Sequence, residues 1–216
     1  AVSRSVEFVR LERLARDRLE ELTSFAAVAA HDLRAPIRQI AQFTSLIQEE
    51  SDTLSEASRE LFDHVLQATR RMDALVVGLQ QYATSGRSQD KFERVSLNRV
   101  VNDVLIDLGA VIDAAGAVVQ ATVLPDVHGD AVGMRQLIQN LVANGIKYNR
   151  SEVPSINIRS DEQGDEIVIG VSDNGIGIDG NSFDTVFEPL KRLSGSSEFE
   201  GSGLGLATAE RIVTQH

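Results

Sequence analysis

The chain contains no cysteine, which excludes disulfide staples and thiolate metal sites and fits a reducing compartment. It lacks any apolar run near the roughly 20 residues that cross a bilayer, and it opens without the apolar core of a signal peptide. An excess of basic charge is missing too. Lys and Arg total 21 against 32 Asp and Glu, for a net charge of −11, which argues against general affinity for nucleic acid or an anionic membrane surface. Together these absences predict a soluble, cytoplasmic segment without a membrane span. With 42% hydrophobic and 25% charged residues over 216 positions, the chain can bury one large core or two modest ones.

No Gly or Pro interrupts the chain before Pro36. The charged, amphipathic opening from Val6 therefore reads as one helix running to about Glu49, part of a longer protein. The apolar series Ala26, Ala29, Leu33, Ile37, Ile40, Phe43, Ile47 recurs every three or four positions, a stripe that faces a partner. His31 falls off this stripe, and Asp32 is placed to orient its ring. Pro36 has no N–H, so the Asp32 carbonyl loses its helical partner, at a cost of about 3 kcal/mol in a helix interior. A lone surface histidine is usually only solvated; a distorted turn beside a titratable pair suggests a site.

Thr53-Leu54-Ser55-Glu56 has the form of a capping box opening a second helix. There Leu61, Val65, Ala68, Met72, Leu75, Leu79 and Tyr82 alternate four and three apart. Two antiparallel helices with such seams expose a long apolar face, which dimerisation into a four-helix bundle would bury. A polar stretch after Thr84 reads as a linker. Beyond it the pattern predicts a strand at Val95-Ser96-Leu97, a helix from Asn98 to Ala115 closed by Gly116, a strand from Ala117 to Leu124, and a helix capped by Asp130 that runs to Tyr148. A hairpin of Ser155 to Ser160 and Glu166 to Val171 follows. Its second strand is apolar on both faces and is expected inside a sheet. The fold class is α+β in two domains: a helical hairpin, then an α/β sandwich with a mixed sheet.

Asn140, Asn144, Lys147 and Tyr148 share one face of the helix begun at Asp130, with Leu137 and Leu141 expected opposite, toward the sheet. Two amides and an ammonium there suit a hydrated divalent cation and phosphate oxygens, although a solvated polar face has the same look. Asp173-Asn174-Gly175-Ile176-Gly177 follows the buried strand. Its glycines let the backbone pass close to a flat ligand, and the Asp173 carboxylate, an acceptor only, suits the exocyclic amine of adenine. A segment of little periodicity with Lys191 and Arg192 then leads into Gly201-Ser202-Gly203-Leu204-Gly205-Leu206, where glycines open a helix and offer N–H groups to phosphate. No Gly-Lys-Ser/Thr follows, so this is not a P-loop.

In this order the motifs resemble those of the sensor histidine kinases of two-component signalling, with a Bergerat-type ATPase domain, and the wording around His31 is similar to kinases attached to phytochrome and PAS sensors. The resemblance runs from about Leu19 to the end. It matches a phosphoacceptor motif to His31 through Pro36, an asparagine motif to Asn140 through Tyr148, glycine motifs to Asp173–Gly177 and Gly201–Leu206, and a lid phenylalanine motif to Phe183 and Phe187-Glu188-Pro189. It implies a signalling helix over 1–20, a dimerisation and phosphoacceptor domain over 21–84, a linker over 85–91 and an ATP-binding domain over 92–216 lacking the family's last strands.

By the same resemblance His31 and Asp32 are catalytic and Asn144 holds Mg²⁺. ATP is bound by Asn140, Lys147, Tyr148, Asp173, Gly175, Gly177, Arg192, Gly201, Gly203, Leu204 and Gly205. The implied partners are a second copy of the chain, an upstream sensor domain and the receiver domain of a response regulator. Gly145 stands where the family usually has alanine, and Ala35 where many bifunctional members have threonine. Two rivals are a non-catalytic phosphotransfer scaffold, which would have eroded glycine and asparagine motifs, and an ATPase of the same superfamily without a phosphohistidine.

Overall fold

The computed structural model describes residues 26, 28–49, 54–85, 92–163, 166–191, 199 and 201–216. The expected helix before residue 26, the Thr53 cap, most of the linker and Arg192 lie outside these. The chain divides into two compact units, 1–84 and 85–216, and among the described residues no helix is long and apolar enough to cross a membrane.

The first unit is a pair of helices, α1 (28–49) and α2 (Glu56–Thr84). Ser55 opens α2, its hydroxyl accepting from the Ser58 N–H at 3.2 Å; it fills the capping role that the sequence pattern gave to Thr53. Each helix carries two faces. The one turned inward within the chain has a 4-3 repeat, Ala30, Arg34, Ile37, Ala41, Thr44 and Gln48 on α1 against Phe62, Leu66, Thr69, Asp73, Val76, Gln80 and Ala83 on α2. It is largely small and polar, and its apolar cluster is only Ala30, Ile37 and Val76 with Leu79 packed on them. Gln48 Nε2 donates to Asp63 Oδ1 at 3.1 Å and Arg34 Nη2 to Gln80 Oε1 at 2.8 Å, which makes the pair antiparallel.

The stripes that stand out in the sequence form the other face. Leu33, Ile40, Phe43 and Ile47 on α1, with Leu61, Val65, Met72 and Leu75 on α2, are all exposed on the single chain. Of the α1 series only Ile37 turns into the intrachain seam.

The second unit runs β1 (Glu93–Ser96), α3 (Leu97–Asp107), α4 (Gly109–Ala115), β2 (Val118–Ala121), β3 (Asp126–Gly129), α5 (Ala131–Lys147), β4 (Ser155–Gln163), β5 (Glu166–Asp173), a short 3-10 turn (Gly180–Ser182) and α6 (Gly205–Gln215). β2 pairs parallel with β4, and β4 antiparallel with β5, giving a mixed sheet in the order β2-β4-β5; β1 and β3 form a separate antiparallel pair. Along β4, Ile156 and Ile158 turn into the core while Asn157 and Arg159 face out, the two-residue period of a sheet covered on one side. Val100, Val101 and Val104 of α3 and Ile138, Val142 and Ile146 of α5 complete that core.

Four expectations change. The helix expected from Asn98 to Ala115 is two, broken at Leu108, whose φ of −87° and ψ of 0° leave the helical region ahead of Gly109. Leu97 begins α3 rather than ending a strand. The apolar run in β5 lies at the sheet edge, with Ile167 and Val168 exposed; two-sided apolarity marks the strand but does not place it in the middle. Finally, Leu137 and Leu141 are not opposite the asparagines. A helix turns about 100° per residue, so the face opposite Asn140 and Asn144 belongs to Ile138, Val142 and Ile146, which are buried, while Leu137 and Leu141 are half-buried beside it.

Candidate active site

In the first unit His31 Nδ1 lies 3.1 Å from Asp32 Oδ1, and both side chains are open to solvent, at 79% and 74% exposure. An ionised carboxylate only accepts, so the contact makes Nδ1 the protonated nitrogen. Nε2 then carries the lone pair, and it has no hydrogen-bond partner among the described residues.

The second unit gathers the other predicted site residues, apart from Arg192, which lies outside the described residues, on α5, in the turn after β5 and at the start of α6. Asp130 caps α5, its carboxylate accepting from the Val132 N–H at 3.1 Å. The cap is held from the far end of the unit: the Asp130 N–H donates to His216 Nε2 at 2.9 Å, His216 Nδ1 donates to the Ile212 carbonyl at 2.7 Å, and the ring stacks on Phe92 at 4.6 Å. Two turns further along the same face of α5, Asn140 Nδ2 donates to the Gly205 carbonyl at 3.3 Å. A Cβ on Gly205 would stand 3.6 Å from Asn144 Nδ2, so both asparagines face the first turn of α6. Lys147 Nζ donates to the Tyr148 hydroxyl at 3.0 Å and lies 4.4 Å from the ring centre. A Cβ at Gly201 would lie 2.3 Å from Lys147 Nζ; glycine there lets the ammonium run beside the backbone of the second glycine motif.

Asp173 ends β5 against α5. Its Oδ1 accepts from the Gly175 N–H at 2.8 Å. Gly145 permits the approach, since a Cβ there would be 3.2 Å from Asp173 Cβ and 3.0 Å from Ile156 Cγ1. Gly145, where the family usually has alanine, thus lets α5 seat closely on the strand that carries Asp173. Gly177 and Gly203 both adopt φ of 70°, which L side chains avoid. Leu190 shares that region with φ of 65°, held by its N–H donating to the Gly203 carbonyl at 3.0 Å. Leu204 is buried and closes the motif from inside.

Sequence reasoning passed over the residue that knits this corner together. Asn174 Oδ1 accepts from Asn149 Nδ2 at 2.7 Å and from the Ser155 N–H at 2.8 Å, and its Nδ2 donates to the Val153 carbonyl at 3.0 Å. Its signal was the Asn-Gly pair, which reads as a turn and conceals three tertiary bonds.

The donor set fits a nucleotide with a hydrated cation. No group of three or more His, Asp or Glu able to hold a metal occurs among the described residues. A cation bound here would rest on a side-chain amide, with water and phosphate oxygens filling the remaining positions, a mode that suits Mg²⁺.

Residues 129–216 match the family model described as "Histidine kinase-, DNA gyrase B-, and HSP90-like ATPase", and residues 21–87 match "His Kinase A (phospho-acceptor) domain". The chain is 32% identical over 197 residues to the phytochrome-like protein Cph1 of Synechocystis sp., covering 91% of this chain and 26% of that protein. It is 31% identical over 226 residues to the adaptive-response sensory kinase SasA of a Synechococcus strain, covering all of this chain and 59% of that protein. The chain thus spans between about a quarter and three fifths of these relatives. In fold it is similar to full-length ShkA solved in complex with AMPPNP, with a TM-score of 0.63 at 18% identity over 89% of this chain and 41% of that one.

Proposed function

Because the chain belongs to the sensor histidine kinases of two-component systems, we propose that it phosphorylates its own His31 from ATP and passes the phosphoryl group to an aspartate on the receiver domain of a response regulator. The observation that carries this reading is the Nδ1 contact from His31 to Asp32 on an exposed helix face. It supports the tautomer protonated at Nδ1, with Nε2 as the nucleophile.

In the reaction the Nε2 lone pair forms a bond to the γ-phosphorus of ATP. The bond from that phosphorus to the β,γ-bridging oxygen breaks, and ADP leaves with the electron pair. As positive charge develops on the ring, Asp32 stabilises it and takes up the Nδ1 proton. Asn140, Asn144, Lys147 and Tyr148 position the triphosphate, Asp173 accepts from the adenine amine, and Gly175, Gly177, Gly201, Gly203, Leu204 and Gly205 supply close backbone. Asn144 would hold a Mg²⁺ ion, which would neutralise phosphate charge. Arg192 keeps the role of a contact to the γ-phosphate. Positioning and charge neutralisation account for the rate, as in other phosphoryl transfers. The reading extends to a homodimer through the uncovered apolar faces of α1 and α2, under the control of an upstream sensor domain.

Incubation with γ-labelled ATP and Mg²⁺ tests it. The label should be acid-labile and base-stable, because protonation of a phosphoramidate nitrogen makes it a leaving group, and it should disappear in His31→Gln. Equal labelling of His31→Gln overturns the assignment.

A further inference from the structure

Among the described residues Arg34 is the one cation in the inward face shared by α1 and α2, three residues after His31 and so on an adjoining turn of the same side of the helix. Its guanidinium spends one donor well, with Nη2 at 2.8 Å from Gln80 Oε1. Toward Asp73 it stops short: Nε to Asp73 Oδ1 is 3.9 Å, an ion pair too long to be a hydrogen bond. Both of those atoms are buried, and neither has a hydrogen-bond partner among the described residues. A buried donor and a buried acceptor of opposite charge, facing each other and unjoined, constitute an unmet interaction of the kind native cores rarely retain without reason. Closing the gap from 3.9 Å to an ordinary charge-assisted length takes a movement of about 1 Å. That is less than the 1.5 Å rise of one helical residue and within the range of helix shifts at signalling interfaces.

We propose that Arg34 is a positioning residue for His31, a latch whose guanidinium rests on Gln80 in one register of α1 against α2 and on Asp73 in another. Gln80 and Asp73 are seven residues apart on the same face of α2, so the exchange moves the Arg34 turn along or around the seam, and His31 goes with it. The flanking helix allows this, since Pro36 leaves the Asp32 carbonyl without its helical donor and softens the turn between the histidine and the rest of α1. The register with Arg34 on Gln80 is the one in which His31 meets Asp32 and faces solvent. That register is the transfer-competent one, and the Asp73 register displaces His31 from it by about 1 Å, a misplacement large enough to slow an in-line transfer.

The inference rests on His31 as phosphoacceptor, so one arm of its test needs no phosphoryl transfer. The Arg34 Nε–H is observed by proton-nitrogen NMR, where bonding to a carboxylate shifts it downfield and protects it from solvent exchange. Gln80→Leu removes the present acceptor and should produce that shifted, protected signal, while ATP-dependent labelling of His31 falls by about five-fold or more at unchanged ATP affinity. Asp73→Asn removes the competing carboxylate, leaves the guanidinium on Gln80, and should show no such signal and label at the parent rate or faster. A Gln80→Leu resonance matching the parent's, or a shifted one with the parent's labelling rate, overturns the latch. So does an equal loss of labelling in both variants, the pattern of a purely structural contact.

Discussion

The Ile176 N–H donates to the Tyr148 carbonyl at 2.9 Å, which ties the glycine turn after β5 to the end of the helix that carries the asparagines. Gly175 sits inside this tie, where a Cβ would come 2.4 Å from the Tyr148 carbonyl oxygen and 2.7 Å from Asp173 Oδ1. Gly175→Ala must push the turn from α5. If that displacement costs about 1–3 kcal/mol, as overpacking does, nucleotide affinity falls by about five- to 150-fold. Calorimetric titration with a non-hydrolysable ATP analogue checks this, and unchanged affinity would refute the placement of the turn in the nucleotide site.

The roles of His31 and Asn144 separate in a pair of variants. Asn144→Ala should lower Mg²⁺-dependent phosphorylation by orders of magnitude, whereas His31→Gln should abolish phosphorylation and leave nucleotide affinity nearly unchanged. Full kinase activity in Asn144→Ala would remove the metal role.

Leu75 and Leu79 should respond differently to charge. Leu75 is exposed on the single chain, while Leu79 packs on the Ala30, Ile37 and Val76 cluster. Leu75→Asp should therefore weaken association, so that helicity falls on dilution and returns at high concentration, whereas Leu79→Asp should unfold the hairpin at any concentration, because it buries a charge without a partner. Light scattering and circular dichroism read the two outcomes. A parent chain that is monomeric at micromolar concentration would contradict the dimer.

Leu190 holds φ of 65° with its side chain 58% exposed, so little packing offsets a backbone cost of about 1–2 kcal/mol. Leu190→Gly should be neutral or stabilising, and Leu190→Val, β-branched in a region such residues avoid, should destabilise. Chemical denaturation gives the order; a variant order of Val above Gly would mean the strain is absent.

What the sequence made legible follows from how each signal is written. Asp130 and the four-three-one spacing of Asn140, Asn144, Lys147 and Tyr148 are local, and they placed the cap and polar face of α5 correctly. β3 was missed because Asp126-Val127-His128-Gly129 offers one apolar residue, and its reason for existing is the pairing with β1, thirty residues away. The break at Leu108 hid behind Gly109, which a helix tolerates at modest cost. Apolar spacing led straight to the outward stripes of the hairpin, and for that reason overlooked the inward seam, where Arg34, Thr44, Thr69, Asp73 and Gln80 give hydrophobicity little to detect. Arg135 shows a similar blind spot: its hydrogen bond to Asp107 holds the guanidinium above its ordinary pKa and clips α3 to α5, yet both residues read as surface charges.

The small inward seam of α1 and α2 also bears on what it means for this hairpin to be folded at all. Ala30, Ile37 and Val76 with Leu79 are a meagre core for two helices, too little apolar burial to offset the entropy of ordering both. Most of the apolar area of the described helices lies on their other, exposed side. In the proposed dimer, folding and association of the unit are one equilibrium governed by mass action. Its melting temperature has no single value: it climbs with concentration, and a dilute chain loses its helices as it loses its neighbour.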